Sequence, residues 1–337
     1  MSHNTGTVPL TATGDVVAAP SPVARVMSFV SQPMIIVWLL LIALIPLSRI
    51  VSPNFPSLGM LQSTLILGLF LIVVAFGQGM VILTGGLDLS LPQAVALGAF
   101  LAGFLSNRGW PVVVAVLVAL AATAAVGVVN GLLVAYAKFP PFIVTLATGT
   151  MLGSILLGVS RGTPAQPSPA VIADLFSGRH ALLGIPTPIW ALAVFVVVAY
   201  LIQMRSTIGR RAFAVGNSEK ASRVAGVRVA PTLVTAYMIA GVAYGLAGVM
   251  LLGYSSGADL NIGQQWLLPS ITAVVIGGSA IRGGAGSFVG TIGGALLITV
   301  INIDISAAGF SEGVKQVLYG VIILLALIAG RFGRARA

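Results

Sequence analysis

The chain has 337 residues, 58% of them hydrophobic and only 7% charged, with a mean hydropathy of +1.08. So few charges exclude a soluble globular protein and indicate a polytopic membrane protein. The formal net charge of +10 reflects a shortage of acids, seven against 17 Lys and Arg, and does not argue for a nucleic-acid partner.

Residues 1–30 are polar and rich in Pro, Ser, Thr and Ala. They lack a compact apolar segment behind a basic start, so they do not read as a secretory signal, and a disordered cytoplasmic tail is expected there. Residues 31–332 read as one transmembrane domain, and residues 333–337 as a short cytoplasmic tail. Ten apolar runs fall at Met34–Leu47, Leu58–Leu83, Leu91–Leu105, Val112–Tyr136, Phe142–Val159, Ile189–Met204, Leu233–Tyr254, Leu267–Ala280, Phe288–Ile303 and Val314–Ala329. The expected fold is all-α, with about ten transmembrane helices. Leu91–Leu105 and Leu267–Ala280 are short of the roughly 20 residues a span needs, so they fit tilted partial helices or re-entrant segments, and eight or nine true spans stay open.

Between the second and third runs, Gly85-Gly86 breaks the helix, and Asp88 or Ser90 is placed to cap the next, with Pro92 in its first turn. GxxxG spacings at Gly127–Gly131, Gly149–Gly153, Gly241–Gly245 and Gly286–Gly290 predict close helix packing. Gly278, Gly284 and Gly290 are expected to tolerate no bulky residue. The proline-rich connection Arg161–Pro188 reads as a stiff outer linker or a docking surface, with a short helix over Pro169–Phe176.

After the N-terminal tail, the one long basic stretch is Arg205–Thr232. It carries Arg205, Arg210, Arg211, Lys220, Arg223 and Arg228 against one acid, Glu219. Asn217 or Ser218 can N-cap a short helix through Glu219, Lys220, Ala221, Arg223 and Val224, and Gly226 can end it in the left-handed region. Two turns are too short to stand alone in water. The helix must therefore dock, either as a plug in a cytoplasmic partner or as part of a lipid-facing basic cluster. With this stretch inside, twelve of the 17 basic residues are inside and five outside, and both termini are cytoplasmic.

Candidate chemistry is sparse. Cysteine is absent, and the two histidines, His3 and His180, make no metal site by themselves. No catalytic cluster of titratable residues is visible. Asp88 is the one acid set tightly between apolar runs; it reads either as a structural cap or as part of a transport path. Gln78, Asn130, Thr145, Thr299 and Asn302 are the polar residues available inside the runs, and none makes a coupling-ion site. No lysine completes a phosphate-binding loop, since Lys138, Lys220 and Lys315 precede Phe139, Ala221 and Gln316. A stand-alone secondary transporter or channel would need ionisable groups near the midplane, and an energy source outside this chain fits better.

Four blocks carry a family resemblance: TGGLDLS at Thr84–Ser90, GVVNGLLVAYAKFPPFIVTLAT from Gly127 to Thr148, TIGRRAFAVGNSEKASRVAGVRV from Thr207 to Val229, and VVIGGSAIRGGAGSFVGTIGGALLITVIN from Val274 to Asn302. On these the chain resembles the membrane permease subunit of ribose-type carbohydrate ABC importers. The resemblance implies a type II importer fold and a homodimer in the inner membrane, with the pathway at the subunit interface. It implies ATP-binding subunits on the cytoplasmic side, which use ATP and Mg, and a substrate-binding protein outside; no cofactor is bound by this chain. Residues 205–232 become a coupling loop, its contacts carried by Gly209, Arg210, Gly216, Asn217, Ser218, Glu219, Ala221, Arg223, Val224 and Gly226. Gly85, Gly86, Asp88, Ser90, Asn130, Phe142, Thr145 and Asn302 fall to the pathway or its structural motifs. The cargo implied is a sugar, a monosaccharide by expectation.

Overall fold

The structure is a computed structural model, and it describes residues 32–53, 55–162 and 166–332. The expected tails at 1–30 and 333–337 lie outside the described residues. The chain folds into α1 (Pro33–Leu47), α2 (Leu58–Leu83), α3 (Leu91–Ser106), α4 (Val112–Ala135), α5 (Pro141–Ser160), α6 (Ala170–Phe176), α7 (Thr187–Tyr200), α8 (Thr207–Asn217), α9 (Glu219–Val224), α10 (Val229–Tyr254), α11 (Leu267–Ile276), α12 (Phe288–Ala307) and α13 (Glu312–Phe332). Among the described residues, seven helices are long and apolar enough to cross a membrane: α1 with its 3-10 extension to Ile50, α2, α4, α5, α7 with its π-helical extension to Arg205, α10 and α12. The segments Leu91–Ser106 and Gln264–Ile276 are helical, apolar and shorter. α13 has 21 residues and is the last helix among the described residues.

Helix composition alone does not say which helices are central, because nearly all are apolar around their circumference. Burial does. Nine-tenths of the most apolar window of α2 is buried inside the protein, against about a fifth for α4 and α7. α2 and α10 form the centre, α10 packing on α4, α3 and α2, while α12 joins α1, α2 and α11. α4, α5 and α7 turn large apolar residues such as Leu117, Leu146 and Val197 outward, as lipid-facing or partner-facing helices do.

Glycine sets the central crossings. A Cβ on Gly127 would lie 2.2 Å from the Tyr237 carbonyl oxygen, and one on Gly241 would lie 2.2 Å from the Thr123 carbonyl oxygen. The GxxxG pairs of α4 and α10 therefore face each other, and the backbones approach as the spacing predicts. Gly290 of α12 is as tight, since its Cβ would lie 1.9 Å from the Gly277 carbonyl oxygen. Gly290→Leu is expected to destabilise the fold by at least about 1–3 kcal/mol, read as a lowered melting temperature and yield. Unchanged melting would show that the α12 contact yields freely.

Several boundaries differ from the apolar pattern. α10 starts at Val229, four residues before the apolar run, because Pro231 fits the first turn of a helix, a signal that hydropathy cannot see. α12 continues to Ala307 and carries Asp304 inside its last turn rather than in the connecting loop. Ser48 donates to Asp304 Oδ2 at 2.7 Å, which supplies the polar partner that keeps the acid in the helix. α6 forms at the expected place, N-capped by Pro169.

Candidate functional site

The basic stretch is mostly helical. Ser206 is extended, and its Oγ accepts from the N–H groups of Ile208 and Gly209 at 3.1 and 3.2 Å, starting α8. Gly209, Ala212 and Val215 recur every third residue and form the buried face, with Arg210 and Arg211 exposed. Arg210 is held by donation to the Arg205 carbonyl at 2.7 Å. Gly209 has to be small, because a Cβ there would lie 1.9 Å from the Gln203 carbonyl oxygen.

Ser218 returns to extended backbone and caps α9, its Oγ accepting from Ala221 N–H at 3.2 Å. Asn217 is thus the last residue of α8 and not the cap. Glu219 and Arg223 pair across one turn at 3.4 Å, both about half exposed, and such a pair adds little stability. Gly226, at φ +79°, ends the helix. Ser222 faces the protein, while Ala221, Val224 and Ala225 line one shallow outward hollow with Ser218 and Lys220. Val224 is 86% exposed. α9 therefore presents a small apolar face, rimmed by charge, with nothing packed on it among the described residues.

Behind α9 lies a junction of three chain segments. Gly284 donates its N–H to the Leu83 carbonyl at the end of α2, at 2.9 Å. Asn217 Nδ2 donates to the Gly284 carbonyl at 2.9 Å and to the Phe213 carbonyl at 3.1 Å. Gly216 seals the contact, since a Cβ on it would lie 1.9 Å from the Leu83 oxygen and 2.4 Å from the Gly284 nitrogen. Gly85 and Gly284, at φ +84° and +77°, take turns closed to L side chains. The glycine turn at 283–286, which invites reading as an anion cradle, is instead the clasp between α2 and α8.

Beyond this junction runs a buried polar chain. Thr148 donates to Asn130 Oδ1 at 2.7 Å, Asn130 Nδ2 donates to Ser90 Oγ at 2.9 Å, and Ser90 Oγ donates to Asp88 Oδ1 at 2.6 Å. Asp88 Oδ1 also accepts from Ser90 N–H at 2.9 Å. Thr145 Oγ1 accepts from Leu89 N–H at 3.0 Å and so pins the same loop to α5. Ser90 occupies the N-cap position of α3 but its side chain does not cap the helix. Its hydroxyl is already engaged by Asp88 and Asn130, and Pro92 offers no N–H. Gly86 packs on Tyr237, whose buried hydroxyl has no hydrogen-bond partner among the described residues.

Asp88, Ser90, Asn130 and Thr145 thus come together, with Thr148 and Tyr237 as members that sequence reading passed over. Thr148 was readable as the next turn on the Thr145 face; Tyr237 carried no signal. Phe142 and Asn302 lie apart from them. Phe142 is exposed on the first turn of α5, and Asn302 accepts from Tyr319 across α12 and α13.

Burial raises the Asp88 carboxyl from the ordinary carboxylate range to about 6, and its two Ser90 bonds oppose the rise. A raised folded value means the ionised acid is a liability: its contribution to stability is present below about pH 4 and lost as pH climbs through about 6. Asp88→Asn keeps the acceptor oxygen and removes that liability. It is expected to melt at or above wild type at pH 8, with the difference shrinking towards pH 4.5. A variant that melts several degrees lower at pH 8 would mean the charge itself is structurally required.

The long apolar helices, their glycine-set crossings and the polar loop braced between them define a polytopic α-helical membrane transport protein. The chain belongs to the branched-chain amino acid transport system / permease component family, whose model matches residues 60–327. It is 33% identical over 290 residues to the ribose import permease protein RbsC of Escherichia coli K12, covering 86% of this chain and 90% of that protein. RbsC of Bacillus subtilis is 34% identical over 295 residues, with the same coverage. The autoinducer 2 import system permease protein LsrD of Photorhabdus luminescens is 32% identical over 262 residues, covering 76% of this chain and 78% of that one. No solved structure matches.

Proposed function

We propose that the chain is the permease subunit of an ABC importer that carries a sugar, a monosaccharide by preference. The observation that carries this is its likeness, over most of its length, to import permeases for ribose and autoinducer 2. The family description names branched-chain amino acids, but fold membership does not fix cargo, and the specific relatives favour a sugar. In this reading two copies pair in the inner membrane in a type II arrangement of about ten helices each, with both termini cytoplasmic. A binding protein delivers solute from outside, and separate subunits hydrolyse Mg-ATP below.

α9 is then the coupling helix. Its outward Ala221, Val224 and Ala225 enter a groove of the ATP-binding subunit, with Glu219 and Arg223 at the rim. Because α8 and α9 are continuous in the chain, a push on α9 reaches Asn217 and Gly216, and through Gly284 and Leu83 it reaches the end of α2 and the Gly85–Gly86 turn. Gly209 and Arg210 stiffen the start of that lever, and Ser218 and Gly226 bound the part that docks. The Asp88–Ser90–Asn130 chain, with Thr145, holds the turn against α4 and α5, so the motion is passed to helices rather than lost in a loose loop.

The test is capture of the tagged permease from its native membrane, followed by proteoliposome uptake of radiolabelled D-ribose and related monosaccharides. Uptake that needs ATP and a co-captured binding protein is expected. Uptake driven by an ion gradient, with no ATP-binding subunit retained, would refute the assignment.

A further inference from the structure

At the end of α10 remote from α9, a partly open cavity of about 480 Å³ lies within one copy of the chain, lined by α2, α10, the turn into α11, α11, α12 and α13. That volume is in the range of small-molecule sites. One wall is aromatic: Phe70 packs against Tyr254 and Trp266, with ring centres 5.1 and 6.1 Å apart. α12 adds Thr299, Asn302 and Ser306 to the lining at helical spacing, with Thr299 Oγ1 donating to the Ala295 carbonyl at 2.8 Å and Asn302 Oδ1 accepting from Tyr319. Two charged residues, Glu312 and Lys315, also line it, and they neutralise each other at 2.8 Å. The indole N–H of Trp266 is buried and has no hydrogen-bond partner among the described residues.

We propose that this cavity is a binding site for a neutral, polyhydroxylated solute of monosaccharide size, inside a single protomer. The inference rests on the sugar-import reading above and adds a site to it. Tyr254 and Trp266 offer ring surface, and Asn302 and Ser306 offer polar atoms, to a hydroxyl-bearing guest. The paired Glu312 and Lys315 bring no net charge to the lining to select an ion. Apolar rings and polar side chains in one lining match a sugar, which carries C–H surface on its faces and hydroxyls around its edge. In the proposed orientation the cavity lies at the outer end of the helices, on the side from which solute arrives.

The test uses the full-length permease in lipid nanodiscs, with Trp38, Trp110 and Trp190 replaced by Phe so that Trp266 alone reports. D-ribose, D-xylose, D-glucose and D-galactose are titrated without ATP-binding subunit or binding protein. A saturable emission change with at least one sugar is expected in the range of about 1–10 mM, weakened about tenfold or more by Asn302→Leu and by Ser306→Val. Calorimetric titration of the permease with all four tryptophans serves if the triple replacement unfolds. No saturable signal up to about 100 mM in a permease whose assembled transporter still imports sugar would overturn the cavity site and leave the import function standing. A signal indifferent to Asn302→Leu and Ser306→Val would place binding elsewhere and equally overturn it. Quenching of Trp266 by brominated phosphatidylcholine, with no sugar response, would assign the cavity to lipid.

Discussion

An Ala221→Glu permease is expected to reach the membrane in normal amount and to lose its ATP-binding subunit. Ala221 is exposed and lines the outward hollow of α9 with Val224 and Ala225, so the new carboxylate meets no clash within the chain. The whole cost falls on docking. A two-turn helix offers little contact area, and an unpaired charge desolvated at its centre costs several kcal/mol. Co-purification of the ATP-binding subunit and ATP-dependent uptake should therefore fall together by about a hundredfold. Val224→Ser, which trims the most exposed apolar side chain of α9, should act in the same direction and more weakly. A lipid-facing basic cluster predicts the reverse: Ala221 changes are silent, and neutralising Arg223 disturbs insertion. Wild-type retention of the ATP-binding subunit by Ala221→Glu would end the coupling assignment.

The parts of this fold that could be read in advance are those specified by neighbours in sequence. Ser218, Glu219 and Gly226 carry a complete start-and-stop signal within nine positions, and α9 forms there. The Gly85-Gly86 break is equally local, and Gly85 takes the positive φ it implies. α8 was not legible, because its buried face is Gly209, Ala212 and Val215. Two of those are too small to register as apolar, while Arg210 and Arg211 beside them suggest a loop. Partnerships across long separations were beyond reach for a different reason. Asn217 meets Gly284 67 positions away, and Asn130 meets Ser90 40 positions away. In a chain where almost every helix is apolar all round, no amphipathic stripe shows which faces meet. Polar residues mark the candidates, and only packing pairs them.

Gly216→Val is expected to be the most damaging single change in the junction. The added Cβ would sit 1.9 Å from the Leu83 oxygen and 2.4 Å from the Gly284 nitrogen, between two backbone groups already hydrogen-bonded to each other at 2.9 Å. Neither is the end of a flexible side chain that can swing aside. Either α8 moves away or the Gly284–Leu83 bond breaks, so overpacking of about 1–3 kcal/mol adds to the roughly 1–3 kcal/mol of a buried group left unpaired. Asn217→Ala provides the contrast. It deletes the side-chain bond to Gly284 without a clash, a loss of about 1 kcal/mol, and should leave the fold intact. If the junction carries motion from α9 to α2, Asn217→Ala should keep the ATP-binding subunit bound and lower uptake per ATP hydrolysed. If the junction only holds the fold together, uptake and hydrolysis in Asn217→Ala should stay in their wild-type ratio, and Gly216→Val should lower melting temperature and yield alone. Melting curves on both variants, set beside that ratio for Asn217→Ala, separate a clasp from a lever.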